Sequence, residues 1–110
     1  MVTETLTQEI TRLHADICSG LADMRRILIL YALSSQPSNV SDLAVELDIS
    51  QPAASRHLTI LRERGLVTAQ REGQSVVYTL TDERIIQALD LLRAVLADKL
   101  KNQAALAETL

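Results

Sequence analysis

Between Ser50 and Leu61 the chain sets Gln51, Ser55, Arg56 and Thr59 among Ala54, Leu58 and Leu61. At 3.6 residues per turn the polar members fall on the face opposite the apolar ones. Such donors and acceptors near a helix start suit the edges of base pairs. An arginine can pair with guanine, a glutamine with adenine, and a serine with a base or a phosphate. Ser50 and Pro52 belong to the start of the same helix. His57 lies nearer the apolar face, as a packing or phosphate-contacting residue. Further on, Arg71, Gln74 and Ser75 surround Gly73, a set suited to the sugar–phosphate backbone or to a minor groove, where arginine is favoured.

Other chemistries find little support. No Ser–His–Asp set, phosphate-cradling glycine loop or metal motif occurs. No catalytic residue, cofactor or metal site is assigned, and no enzyme activity is expected. The adjacent Asp82 and Glu83 suit the positive end of a helix dipole and need no catalytic meaning. The one cysteine, Cys18, excludes an intrachain disulfide and is expected to pack as a small hydrophobe. The alternative is a redox switch between subunits, with His14 one turn away on the same helix face.

The chain has 110 residues, of which 47% are hydrophobic. That is enough for one core and fits a single domain. Tyr31 and Tyr78 are its two aromatic residues, which disfavours modules that stack single-stranded bases on aromatic platforms. The longest apolar run, Ile27 to Leu33, is far short of a membrane span. The polar, acidic start is unlike a signal peptide, so a cytoplasmic protein with no membrane contact is expected. Net charge is −3, at first sight unsuited to nucleic acid. Its distribution reverses that reading. Over residues 51–81 the four arginines Arg56, Arg62, Arg64 and Arg71 outnumber Glu63 and Glu72, and local charge governs a docking surface.

The elements that must position these residues follow from periodicity. Leu6, Ile10, Leu13, Ile17 and Leu21 form one stripe of a first amphipathic helix. Asp23 is placed to cap a second, nearly all-apolar helix that ends near Pro37. Ser41 is expected to cap a short helix over 42–47, with Val40 and Val45 as a hydrophobic staple. Ser50 caps the next, Pro52 sits in its first turn, and Gly65 stops it. Residues 66–71 and 75–80 have strand character around a Glu72-Gly73-Gln74 turn. Thr81 or Asp82 caps a last helix with the stripe Ile85, Leu89, Leu92, Leu96 and Leu100. The order predicts a mainly α fold with a small antiparallel hairpin, a winged helix-turn-helix.

Three segments then carry a family likeness: Ser41-Asp42-Leu43-Ala44, Ser50-Gln51-Pro52-Ala53-Ala54-Ser55-Arg56-His57-Leu58, and Leu61-Arg62-Glu63-Arg64-Gly65-Leu66-Val67. Together with the wing Arg71-Glu72-Gly73-Gln74-Ser75-Val76-Val77-Tyr78 they resemble the ArsR/SmtB family of bacterial repressors. The resemblance runs from about Asp23 to Tyr78, and departs from the family pattern at Met24, where a proline is usual. It implies a homodimer that binds operator DNA and lets go when an effector binds. Metal sensors of the family carry cysteines where this chain has Ser38-Asn39-Val40-Ser41. Their second site corresponds to Asp82, Arg84, Val95 and Asp98, a poor donor set for zinc. The persulfide-sensing branch has cysteines at the positions of Tyr31 and Ala97, which leaves the effector unknown.

Double-stranded operator DNA and a second copy are therefore the expected partners of one domain over 1–110. Residues 1–22 and 82–110 flank it as dimerisation helices, pairing through Leu6, Ile10, Leu13, Ile17, Ile85, Leu89, Leu92 and Leu96. The competing expectation, favoured by the acidic total charge, is a winged-helix module that joins proteins and never touches DNA.

Overall fold

The structure is a computed structural model and describes residues 1–109. Helix α1 (Glu4–Leu13) runs into a π-helical turn (His14–Cys18). After it come α2 (Met24–Ser35), α3 (Val40–Leu47), α4 (Gln51–Glu63), β1 (Val67–Glu72), β2 (Ser75–Leu80) and α5 (Arg84–Thr109). This is a winged helix-turn-helix: α3 and α4 form the bihelical unit, and the β1–β2 hairpin is the wing. No helix among the described residues is long and apolar enough to cross a membrane.

Local chemistry accounts for the element ends. Asp23 accepts from the Arg25 amide at 2.8 Å and starts α2. Ser50 Oγ accepts from the Ala53 amide and starts α4, with Pro52 in the first turn. Asp82 accepts from the Arg84 amide at 2.9 Å and starts α5. At the end of α4, Gly65 takes φ +76°. Its amide donates to Arg62 and that of Leu66 donates to Leu61, the paired bonds of a Schellman close. Leu66 thus spends its N–H on the helix, which is why the strand expected from residue 66 begins at Val67. The hairpin pairs Val67 with Leu80 through Glu72 with Ser75, leaving Gly73 (φ +64°) and Gln74 at the tip.

Two expectations fail for physical reasons. The cap of α3 is Asn39, not Ser41: its Oδ1 accepts from the Asp42 amide at 2.8 Å. Asparagine caps as well as serine, and the earlier start leaves Val45 82% exposed with no staple. The first helix does not keep one register to Leu21 either. The π-helical turn closes with the Ser19 amide on the His14 carbonyl, a hydrogen-bonded loop one residue longer than that of an α-helix. Cys18 lies on that turn and is exposed, contrary to its expected burial.

The core joins Ile29, Leu30 and Leu33 of α2 to Leu43, Leu58 and Leu61 of the bihelical unit, with Leu66 and Val67 beneath the wing. From α5 it takes Ile86 and Leu89. Leu89, expected between subunits, is therefore a residue of the protomer's own core. Ile17 and Ile85 are half-buried against the same core. Leu21 is half-buried there too, while Leu6, Ile10 and Leu13 and, on α5, Leu92, Leu96 and Leu100 stand exposed, since α1 buries no residue and residues 91–108 of α5 are all exposed. The radius of gyration, 17.2 Å, exceeds the roughly 13 Å of a compact chain of this length.

Candidate nucleic-acid interface

Helix α4 presents two faces. Ala54, Leu58 and Leu61 are fully buried, and they fix the rotation of the helix against α2 and α3. Gln51, Pro52, Ser55, Arg56 and Thr59 are all exposed on the other side. Ser50 is exposed too, with its hydroxyl committed to the cap. The Thr59 hydroxyl donates to the Ser55 carbonyl at 3.0 Å, so Thr59 offers its methyl group and oxygen lone pairs outward rather than a proton. On the wing, Arg71, Gln74 and Ser75 are exposed around the tip.

Charge on this surface is uncompensated. Arg12, Arg84 and Arg93 each pair with an aspartate, respectively Asp16, Asp82 and Asp90. None of Arg56, Arg62, Arg64 and Arg71 has an ion pair among the described residues. Arg25 and Arg26 of α2 and Lys99 and Lys101 of α5 also lack an ion pair among the described residues, so unpaired cations are not confined to α4 and the wing. A backbone clasp holds the wing in place: Ser38 and Tyr78 exchange amide-to-carbonyl hydrogen bonds at 3.1 and 2.8 Å. The loop before α3 and the second strand therefore move together.

His57 departs from the outward row. It is half-buried, and its Nδ1 is enclosed without a hydrogen-bond partner among the described residues. Burial holds its pKa below the ordinary imidazole value; Asp23 opposes the shift, and Arg26, Arg25 and Arg56 reinforce it. The sign of the consequence follows by linkage. The folded protein binds this proton less readily than the unfolded chain, so stability is full above about pH 6.5 and falls on acidification through the folded pKa. Asp23 and Asp82 do not confuse that window. The Arg25 amide holds the first below the usual carboxylate range, and the Arg84 guanidinium holds the second down to about 2. The thermal midpoint is expected to drop between pH 7.5 and 5.5, and His57→Gln to flatten the drop. Equal drops in both proteins would show that His57 carries none of it.

The sequence did not single out Ser41 as part of this surface. It accepts a hydrogen bond from Gln51 Nε2 at 2.9 Å, and the competing cap at Asn39, three residues before Asp42, was the available signal. At the positions of the family's metal ligands, Asp82 is clasped by the Arg84 amide and guanidinium. No group of three or more His, Cys, Asp or Glu that could hold a metal ion occurs among the described residues.

Residues 23–69, which span α2 to β1, match the family described as bacterial regulatory protein, arsR family. The chain is similar to the HTH-type transcriptional regulator NmtR of Mycobacterium tuberculosis, at 41% identity over 69% of this chain and 63% of that protein. The match thus spans less than two thirds of that relative's length. The transcriptional activator HlyU of Vibrio cholerae is 37% identical over 69% of this chain and 70% of its own. Among solved structures, the homodimeric winged helix-turn-helix DNA-binding domain from Mycobacterium bovis superposes with a TM-score of 0.76. Its identity is 26%, over 92% of this chain and 93% of that one. On its sequence and its fold, the chain belongs to the arsR family of bacterial regulatory proteins.

Proposed function

We propose that this protein is a sequence-specific transcriptional regulator that binds a near-palindromic DNA operator as a homodimer and acts there as a repressor. One observation carries the reading. On an acidic protein, four exposed arginines without ion pairs, Arg56, Arg62, Arg64 and Arg71, accompany the row Gln51, Ser55 and Arg56 along α4, its end and the wing. Each α4 enters a major groove with its N-terminal residues on base edges. Arg71, Gln74 and Ser75 lie on the adjoining backbone. Such a regulator works in the bacterial cytoplasm, and the domain limits are 1–110 with dimerisation helices at either end.

The dimer forms through what the protomer leaves open. Leu6, Ile10 and Leu13 on one helix and Leu92 and Leu96 on the other are exposed. Between them lies a largely apolar cleft of about 640 Å³ lined by Leu13, Ile17, Leu21, Ile85 and Leu92, among others. A helix of a second copy fills it, and the homodimeric state of the mycobacterial structure supports this assembly. The effector that releases DNA is not a metal held at the family's positions. There Asp82 is already paired, and Asn39, Arg84 and Val95 supply no thiolate or imidazole.

Selection of binding sites from random duplexes tests the proposal. The expected result is one enriched inverted repeat, bound with steep salt dependence and still bound after zinc, cadmium or arsenite is added. Weak binding without sequence preference would favour the protein-joining module instead.

A further inference from the structure

The side-chain amide of Gln51 is engaged before any DNA arrives. Its Nε2 donates to Ser41 Oγ at 2.9 Å, joining the first residue of α4 to the second residue of α3. Ser41 can serve because Asn39 has taken over the cap of α3. Both residues are exposed on the surface already described.

A primary amide carries two N–H groups and a carbonyl that accepts. The bond to Ser41 uses one N–H. When Ser41 takes the N–H that points away from Oε1, the other N–H and Oε1 remain side by side, a fork matching N7 and the N6 amino group of adenine in the major groove. An untethered glutamine loses much rotamer freedom when it binds, and this tether imposes part of that order in the free protein.

We propose that Ser41 is a positioning residue that holds the Gln51 amide as an adenine-reading fork, setting specificity at one base pair of each half-site. The assignment rests on the DNA-binding reading above and adds to it where one base preference originates.

Site selection with four proteins tests it: the parent, Gln51→Ala, Ser41→Ala and Ser41→Thr. The parent is expected to enrich adenine at one position per half-site, and Gln51→Ala to lose that preference. Ser41→Ala is expected to blur the same position alone and to weaken the parent operator about two- to ten-fold. On an operator altered at that base, Ser41→Ala and parent should bind alike. Ser41→Thr, which keeps the hydroxyl, should restore both preference and affinity. A purely structural serine would weaken all sequences evenly, and that outcome overturns the assignment. So does retention of the adenine preference in Ser41→Ala, or a Gln51-dependent position that is not adenine. A parent protein that enriches no sequence overturns the DNA-binding reading itself, and this assignment with it.

Discussion

Leu96→Asp is expected to leave a folded monomer and to take operator binding down with the dimer. Leu96 is 54% exposed in the protomer and its neighbour Leu92 is 63% exposed, so neither contributes much to the protomer's own core. Their value lies between subunits. Burying one leucine is worth about 1.5–3 kcal/mol, and a twofold axis counts each position twice. Association should thus weaken by roughly 3–6 kcal/mol, at least about a hundredfold in dissociation constant. A carboxylate in that seam adds a desolvation cost. Two reading helices about 34 Å apart, one DNA turn, need the dimer to hold them. Operator affinity should therefore fall although no DNA contact is touched. Analytical ultracentrifugation and circular dichroism of parent and variant check this. A parent that sediments as a monomer at tens of micromolar yet binds a palindrome tightly would refute the architecture.

Arg56→Ala should separate base reading from simple charge. Its guanidinium is exposed on the outward row and has no ion pair among the described residues. Removing it should cost about 1–3 kcal/mol on the best operator and relax the base preference at one position per half-site. Arg71→Ala, at the wing, should weaken all sequences alike and lower the salt slope by about one. Anisotropy titrations at several salt concentrations distinguish the two patterns. Unchanged preference in Arg56→Ala would mean that the wrong face of α4 has been placed on the bases.

Much of this was legible in the residues because it rests on local chemistry. Asp23 and Ser50 as caps, Gly65 and Gly73 at positive φ, and the two faces of α4 each depend on a few neighbouring side chains. Three features lay beyond that reach. Asn39 and Ser41 were both competent caps, and the choice turns on two residues of helix length. The exposure of Cys18 depends on a π-helical turn, which periodicity averaged over a longer segment does not register. Leu89 and Leu96 occupy one continuous stripe in the sequence. Only the packed structure assigns the first to the protomer core and leaves the second outside. Spacing shows that a face is apolar; it does not say which molecule covers it.

Helix α5 is also a lever. Its anchorage is confined to the end that holds Ile85, Ile86 and Leu89 in the core and Asp90 and Arg93 on Tyr31 of α2, and residues 94–108 extend about 22 Å past it. At that length a tilt of about 10° at the anchor sweeps the far end through roughly 4 Å. In the proposed dimer the relation runs both ways, because the far ends are pinned to each other and the anchors carry the reading heads. A few degrees of change where α5 leaves Asp82 would then alter the separation of the two α4 helices relative to the pitch of DNA. Control of binding by angle rather than by contact requires no ligand near the bases, only one that shifts the fulcrum.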